Sequence, residues 1–413
     1  MSEAEQSSDH HPIFREHPDR KAAIGEAHAR PPLPVGVPCT IYYLAFVCRE
    51  DSTADALFEA VFNEHQSEGS ARHTIRELGG LTAKWELHTE FISITVLSRD
   101  GEASAMRLWT RVAAKSPPDA QLLIAIRLRV LPEGVPTAGY PIGGRLRSGM
   151  TIASDFRSDG DGFIDYDIVA PPGGADQLGR RVQRVLEVEV YRMMALLGLP
   201  EARRMAPEVA RLENELADVV DALTQGSDDD ETILERLQRL SARAEALRTK
   251  TRFRFSATQA YAALVDERLE SLAEEKLGER PTLTGFVQTR LAPGVRTVVS
   301  LEARQAELSA AVARALNLLR ARVDVSQNRA NQSILESMND RQHRQLRLSE
   351  AVESLSVIAI TYYLIGVLGY PVKALIDMGY LPGTPTLVLG ILAPFVALGV
   401  WWSLRRIRGR FTE

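Results

Sequence analysis

SLSVIAITYYLIGVLGYPV, residues 354–372, and MGYLPGTPTLVLGILAPFVALGVWWSL, residues 378–404, decide how this chain is read. The first run holds 19 residues without a charge and the second 27, with only Lys373 and Asp377 as charges between them. At 1.5 Å per residue the first run makes about 28 Å of helix, close to the ~30 Å hydrocarbon core of a bilayer. Pro382, Gly383 and Pro385 open the second run, so its helix is expected to begin near Thr386. The pattern predicts a C-terminal transmembrane hairpin. The alternative is a pair of buried helices in a globular core.

The flanks predict its orientation. Arg341, Arg344 and Arg347 precede the first run, and Arg405, Arg406, Arg408 and Arg410 follow the second, as basic residues facing lipid head groups. Lys and Arg collect on the cytoplasmic side of a membrane, and Trp401 and Trp402 suit the aromatic belt beside the basic tail. Both termini are therefore expected in the cytoplasm of a bacterial inner membrane. The first 16 residues have no apolar core of the signal-peptide kind, which leaves targeting to the hairpin.

The rest of the chain has room for two or three domains in 413 residues. A formal charge of −5 and a pI near 6 argue against a general nucleic-acid binder. Cys39 and Cys48 sit nine residues apart in one apolar run; on a strand they point to opposite faces, cannot bridge, and suit a reducing compartment.

Residues 1–16 are polar and expected to be disordered. An α+β head is expected over 17–172. Pro31, Pro32, Pro34 and Pro38 keep its entry extended, and TIYYLAFVC at 40–48 reads as a buried strand. A helix stripe follows at Ala54, Leu57, Phe58 and Val61, then a long strand or two short ones over 85–97. A helix near 104–115, a strand at 121–131 and a hairpin of 150–156 with 163–169 complete it. A helical domain is expected over 174–294, with breaks at Gly198-Leu199-Pro200, at Gly226, at Gly278 with Pro281, and at Pro293-Gly294. A stalk helix over 295–350 leads into the hairpin at 351–404 and a basic tail at 405–413; 295–372 as one helix would span about 115 Å. The fold class expected is an α+β head, a helical bundle or coiled-coil region, and the two-helix hairpin.

Four runs carry a resemblance: Glu26-Ala27-His28-Ala29-Arg30-Pro31, Trp85 to Phe91 (WELHTEF), Tyr191 to Leu197 (YRMMALL) and SEAVESLSVIAITYY at 349–363. They resemble a bacterial family catalogued as domain of unknown function 3422, described as predicted membrane-anchored proteins, over about residues 17–370. The resemblance implies a membrane anchor with a soluble head, and no activity, substrate or catalytic residue.

Among the polar clusters, Glu26, His28 and Arg30 share a face of an extended segment, and so do Glu86, His88 and Glu90. Two imidazoles and three carboxylates could hold a divalent metal whose bound water performs hydrolysis. The same residues could instead form a salt-bridged network tying the N-terminal arm to the head. Arg248, Lys250, Arg252 and Arg254 alternate with Phe253 and Phe255, a pattern open to anionic lipid or to a solvated helix face. Asn328 and Asn331 lie on one face of the long helix and could set register in a homo-oligomer. Neither apolar run carries an ionisable side chain other than tyrosine, which argues against a proton relay. The layout is similar to that of CorA-type magnesium channels, but Gly369-Tyr370-Pro371 stands where those carry Gly-Met-Asn. Gly143-Gly144 and Gly173-Gly174 lack the setting of a phosphate loop. The expected function is a membrane-anchored binding, scaffold or sensor protein that contacts the bilayer and itself. An oligomeric ion channel or a metal-dependent hydrolase are the alternatives.

Overall fold

A computed structural model of the chain describes residues 17–20, 24, 31–48, 51–64, 72–99, 101–173 and 175–411. The apolar run near residue 40 is strand β1, Cys39–Val47, an interior strand, fourth in a sheet of nine among the described residues. Its neighbours are β4 (Phe91–Ser98) and β5 (Gln121–Pro132), both antiparallel to it. Successive side chains of a strand point to opposite faces, and β1 is apolar on both. Ile41, Tyr43 and Ala45 join one core; Tyr42, Leu44 and Phe46 join the other. An unbroken apolar run marks a strand covered on both faces.

The sheet order is β2-β3-β4-β1-β5-β8-β7-β6-β9, with β2 at His73–Leu78, β3 at Leu81–Leu87, β6 at Ile142–Leu146, β7 at Thr151–Ser158, β8 at Ile164–Ala170 and β9 at Glu274–Lys276. Among the described residues only β5 and β8 pair in parallel. Two ion pairs cross that junction in register: Arg127 Nε to Asp165 Oδ1 and Arg129 Nε to Asp167 Oδ1, both at 2.7 Å. Helices α1 (Asp51–Phe62) and α2 (Glu102–Lys115) cover one face through Leu57, Phe58, Leu108 and Trp109. The other face meets helix α3 (Ala175–Leu196), the end of α5 (Asp230–Leu272) and the start of α6 (Leu283–Asp377).

The first compact unit reaches Leu316, across the position near residue 172 where the sequence suggested a boundary. Burial explains why: Leu178, Val182 and Val185 of α3 share one apolar core with the sheet. Helix α4 (Gly198–Gln225) packs on α5 and α6 through Met205, Val209, Phe255 and Leu301. Gly226 closes α4 in the left-handed conformation, and the Asp229 side chain caps α5 by accepting from Thr232 N at 2.7 Å.

Three strands went unread in the sequence. β2, β6 and β9 lie toward the sheet edges, are at most six residues long, and lack a clean apolar alternation. Gly143-Gly144 serves close backbone approach: a Cβ on Gly143 would run into the Ile152 carbonyl of β7. The expected break at Pro293-Gly294 is also corrected, since α6 continues through it. A Cβ on Gly294 would stand 3.1 Å from Leu196 Cδ2, so glycine there serves packing against α3 and not helix termination.

The second unit begins at Asn317 and comprises the remainder of α6 and helix α7, Pro385–Phe411. Each of these helices contains a stretch long and apolar enough to cross a membrane. Most of their described side chains are open: Tyr362 is 75% exposed and Phe395 71%, while Val400 is buried. The alternative of two buried core helices does not describe them.

Candidate functional site

Strands β3 and β4 form a tight hairpin, and its inward face is polar where a core face should be apolar. In register, Lys84 lies opposite Thr95 and Glu86 opposite Ser93; on β1, Tyr43 pairs with the same Thr95. Residues directly opposite share a face, so these five side chains gather beneath α3. Trp85 and Ile94, one residue away, point into the other core. Lys84 Nζ and Glu86 Oε1 are 3.0 Å apart, with side chains only 3% and 8% exposed. Burial pushes the Tyr43 phenol well above its ordinary pKa, and the negative charge of Glu86 adds to that.

Leu33 and Val35 close one side of the pocket. Gly179 of α3 lets that extended segment approach: a Cβ there would collide with the Leu33 carbonyl oxygen. From α3, Glu187 faces the pocket, accepting from Gln183 Nε2 at 2.8 Å and from Arg268 Nε at 2.5 Å. The free space is about 40 Å³, room for ordered water and far below the volume of a metabolite site.

His88 ends β3. Its ring stacks on Phe91 at 4.1 Å, and Nε2 stands 3.2 Å from Ser93 Oγ. Glu86 and His88 therefore line the same pocket, as the alternation predicted. Glu90 does not join them. The chain turns at 88–90, with His88 N donating to Phe91 O, so alternation fails beyond His88. Glu90 instead forms an ion pair with Arg254 NH1 at 2.9 Å and places its charge beside Tyr261. Burial, and then Glu90, push the Tyr261 phenol upward.

Glu26, His28 and Arg30 lie outside the described residues, as do the side chains of Arg405, Arg408 and Arg410. Among the described residues no group of three His, Cys, Asp or Glu side chains could hold a metal ion. Glu86 is matched to an ammonium, which leaves it a poor ligand. Arg341, Arg344 and Arg347 are exposed on α6, and Arg406 packs over the Trp402 ring at 5.1 Å.

The basic–aromatic row of α5 divides by helix face. Phe255 is fully buried, Arg254 reaches Glu90, and Arg248 lies 3.7 Å from Glu245. Lys250, Arg252 and Phe253 face outward. Cys39 and Cys48 are both free thiols, each pushed up to about 11 by burial, so neither is an activated nucleophile.

Lys84, Tyr43, Ser93 and Thr95 were missed in the sequence. Lys84 and Glu86, opposite charges two residues apart on a strand, gave a local signal; the cross-strand partners gave none. A second buried pair, Glu189 with Arg192 at 2.5 Å, lies beside Tyr166, and Glu189 follows burial itself in raising that phenol. The arrangement holds charge in place, with the His88 imidazole against the Ser93 hydroxyl at its edge.

A family model described as protein of unknown function (DUF3422) matches residues 15–411. No curated protein and no solved structure matches the chain.

Proposed function

We propose, from the premise that this chain belongs to the family of proteins of unknown function DUF3422, that it is a membrane-anchored binding or scaffold protein. The observation that carries this reading is the exposure of the apolar stretches of α6 and α7, which meet no core of their own. A bilayer supplies the apolar surroundings that such side chains require. The hairpin form is supported by the turn at 378–384, where Tyr380 N donates to Leu375 O and Gly379 N to Ile376 O. Contact across it is supported by Gly369, whose Cβ position lies 3.5 Å from Leu389 Cδ1.

The basic flanks favour a cytoplasmic head and tail at an inner membrane. The polar stretch of α6 after residue 317 exposes Val325, Ile334, Leu335 and Met338 beside Asn328 and Asn331. A second copy of the chain is the partner that reading supports, as a homo-oligomer through the long helix. The buried polar face under α3 acts as a rigid support for the head and takes no metal in this reading.

Reporter fusions test it. A reporter after Glu413 is expected to be active as a cytoplasmic fusion, and one inserted at Gly383 as a periplasmic fusion. The reverse pattern overturns the orientation, and cytoplasmic activity at both sites overturns the hairpin.

A further inference from the structure

Between α4 and α6 lies an open groove of about 530 Å³ on the first unit. The two helices run parallel: Leu199 lies against Gly294 at one end, and Arg304 Nε reaches Glu213 Oε1 at 3.0 Å further along. The groove exists because the facing residues are small; Ala202 and Ala206 on α4 oppose Thr297 and Ser300 on α6. Arg203 and Arg296, one from each helix, stand at the level of Ala202 and Thr297. Neither makes an ion pair or side-chain hydrogen bond with any described residue, and no carboxylate lines the groove. Arg304, eight residues beyond Arg296 and so about 12 Å along the axis, is already held by Glu213.

We propose that the Arg203–Arg296 clamp is a binding site for a phosphate group. Two guanidinium forks present paired N–H donors with the geometry that phosphate oxygens accept. The Ser300 hydroxyl on the same wall is a further donor for such an oxygen, whereas that of Thr297 already donates to Pro293 O at 2.9 Å. Two unpaired cations held on facing helices repel each other, and an anion between them relieves that repulsion. Above the clamp the wall is apolar, formed by Ala206, Pro207 and Leu301. That strip suits the first carbons of a phosphate-bearing amphiphile. The phosphate could come from a free solute or from a lipid head group, and the strip is what separates the two. The site is independent of how the C-terminal helices are used.

The test uses the full chain in a phosphate-free maltoside micelle at low salt. Inorganic phosphate and monomeric dihexanoyl phosphatidylglycerol are titrated separately by calorimetry. The wild type is expected to bind at least one, and Arg203→Ala/Arg296→Ala to weaken that binding about tenfold or more. Arg314→Ala, exposed on the same helix outside the groove, is expected to bind as wild type. Tighter binding of the lipid identifies a head-group site, and equal or tighter binding of inorganic phosphate identifies a solute site. Because both clamp arginines are exposed and unpaired, the double variant should keep the wild-type melting curve. No binding of either probe at millimolar concentration, or equal binding by the double variant, overturns the proposal.

Discussion

Glu86→Gln is the substitution that most directly probes why the head carries charge in its core. The replacement keeps the shape and removes the negative charge 3.0 Å from Lys84 Nζ, leaving an ammonium on a side chain only 3% exposed. Breaking a buried ion pair from one side costs about 3–5 kcal/mol, because the remaining charge is left desolvated. For a unit of this size each kcal/mol moves the midpoint by about 2–4 °C, so a fall of roughly 6–20 °C is expected. Lys84→Met, which keeps the aliphatic stem, should cost a similar amount by stranding the carboxylate. The double variant Lys84→Met/Glu86→Leu strands neither charge and should lie within about 1 kcal/mol of the wild type. The assay is thermal unfolding of the full chain in maltoside, followed by tryptophan fluorescence, with urea unfolding giving the free-energy differences. Trp85, fully buried on the same strand, reports the head, while Trp401 and Trp402 are already exposed. Single variants as stable as wild type, or a double variant as unstable as the singles, would refute the reasoning.

Gly179→Val should drive a side chain into the Leu33 carbonyl and part the 31–35 segment from α3; hydrogen exchange at Leu33 and Val35 should rise, and unchanged protection would show that the segment is not held there. Asp159 is partly desolvated, which raises its pKa, but hydrogen bonds from Phe163 N and Asp161 N and the charge of Arg127 bring it below its ordinary 3.8. A depressed carboxylate contributes stability that is present above about pH 4 and lost as pH falls through its folded value. Asp159→Asn should therefore flatten the acid limb of the unfolding curve below about pH 4, and an unchanged limb counts against that role.

What the sequence disclosed followed from how local each determinant is. Strand β1 was legible because burial on both faces leaves an unbroken apolar run, and α5 because its stripe from Leu237 to Leu269 holds one period throughout. The Arg127-Leu128-Arg129 and Asp165-Tyr166-Asp167 runs hold complementary charge at strand spacing. Their pairing across the parallel junction depends on which strands meet, a long-range fact. β9 was hidden for the same reason: three residues, Glu274 to Lys276, become a strand only because β6 offers an edge. At the candidate site, alternation placed Glu86 and His88 together and then failed at Glu90, where the hairpin turns. Its covering helix and Tyr191, about a hundred residues downstream, left no mark near residue 88. Family membership was legible from the four runs that the match over 15–411 includes.

The anchor is the claim on which the rest of the functional reading depends, and partition of two chain lengths tests it most directly. Membranes carrying the full chain, and cells expressing the chain truncated after Asp340, are washed with alkaline carbonate and sedimented. If the exposed apolar stretches of α6 and α7 enter the bilayer, the full chain stays in the pellet and the truncated chain is recovered folded in the supernatant. Release of the full chain by carbonate, or sedimentation of the truncated chain with the membranes, would contradict the account.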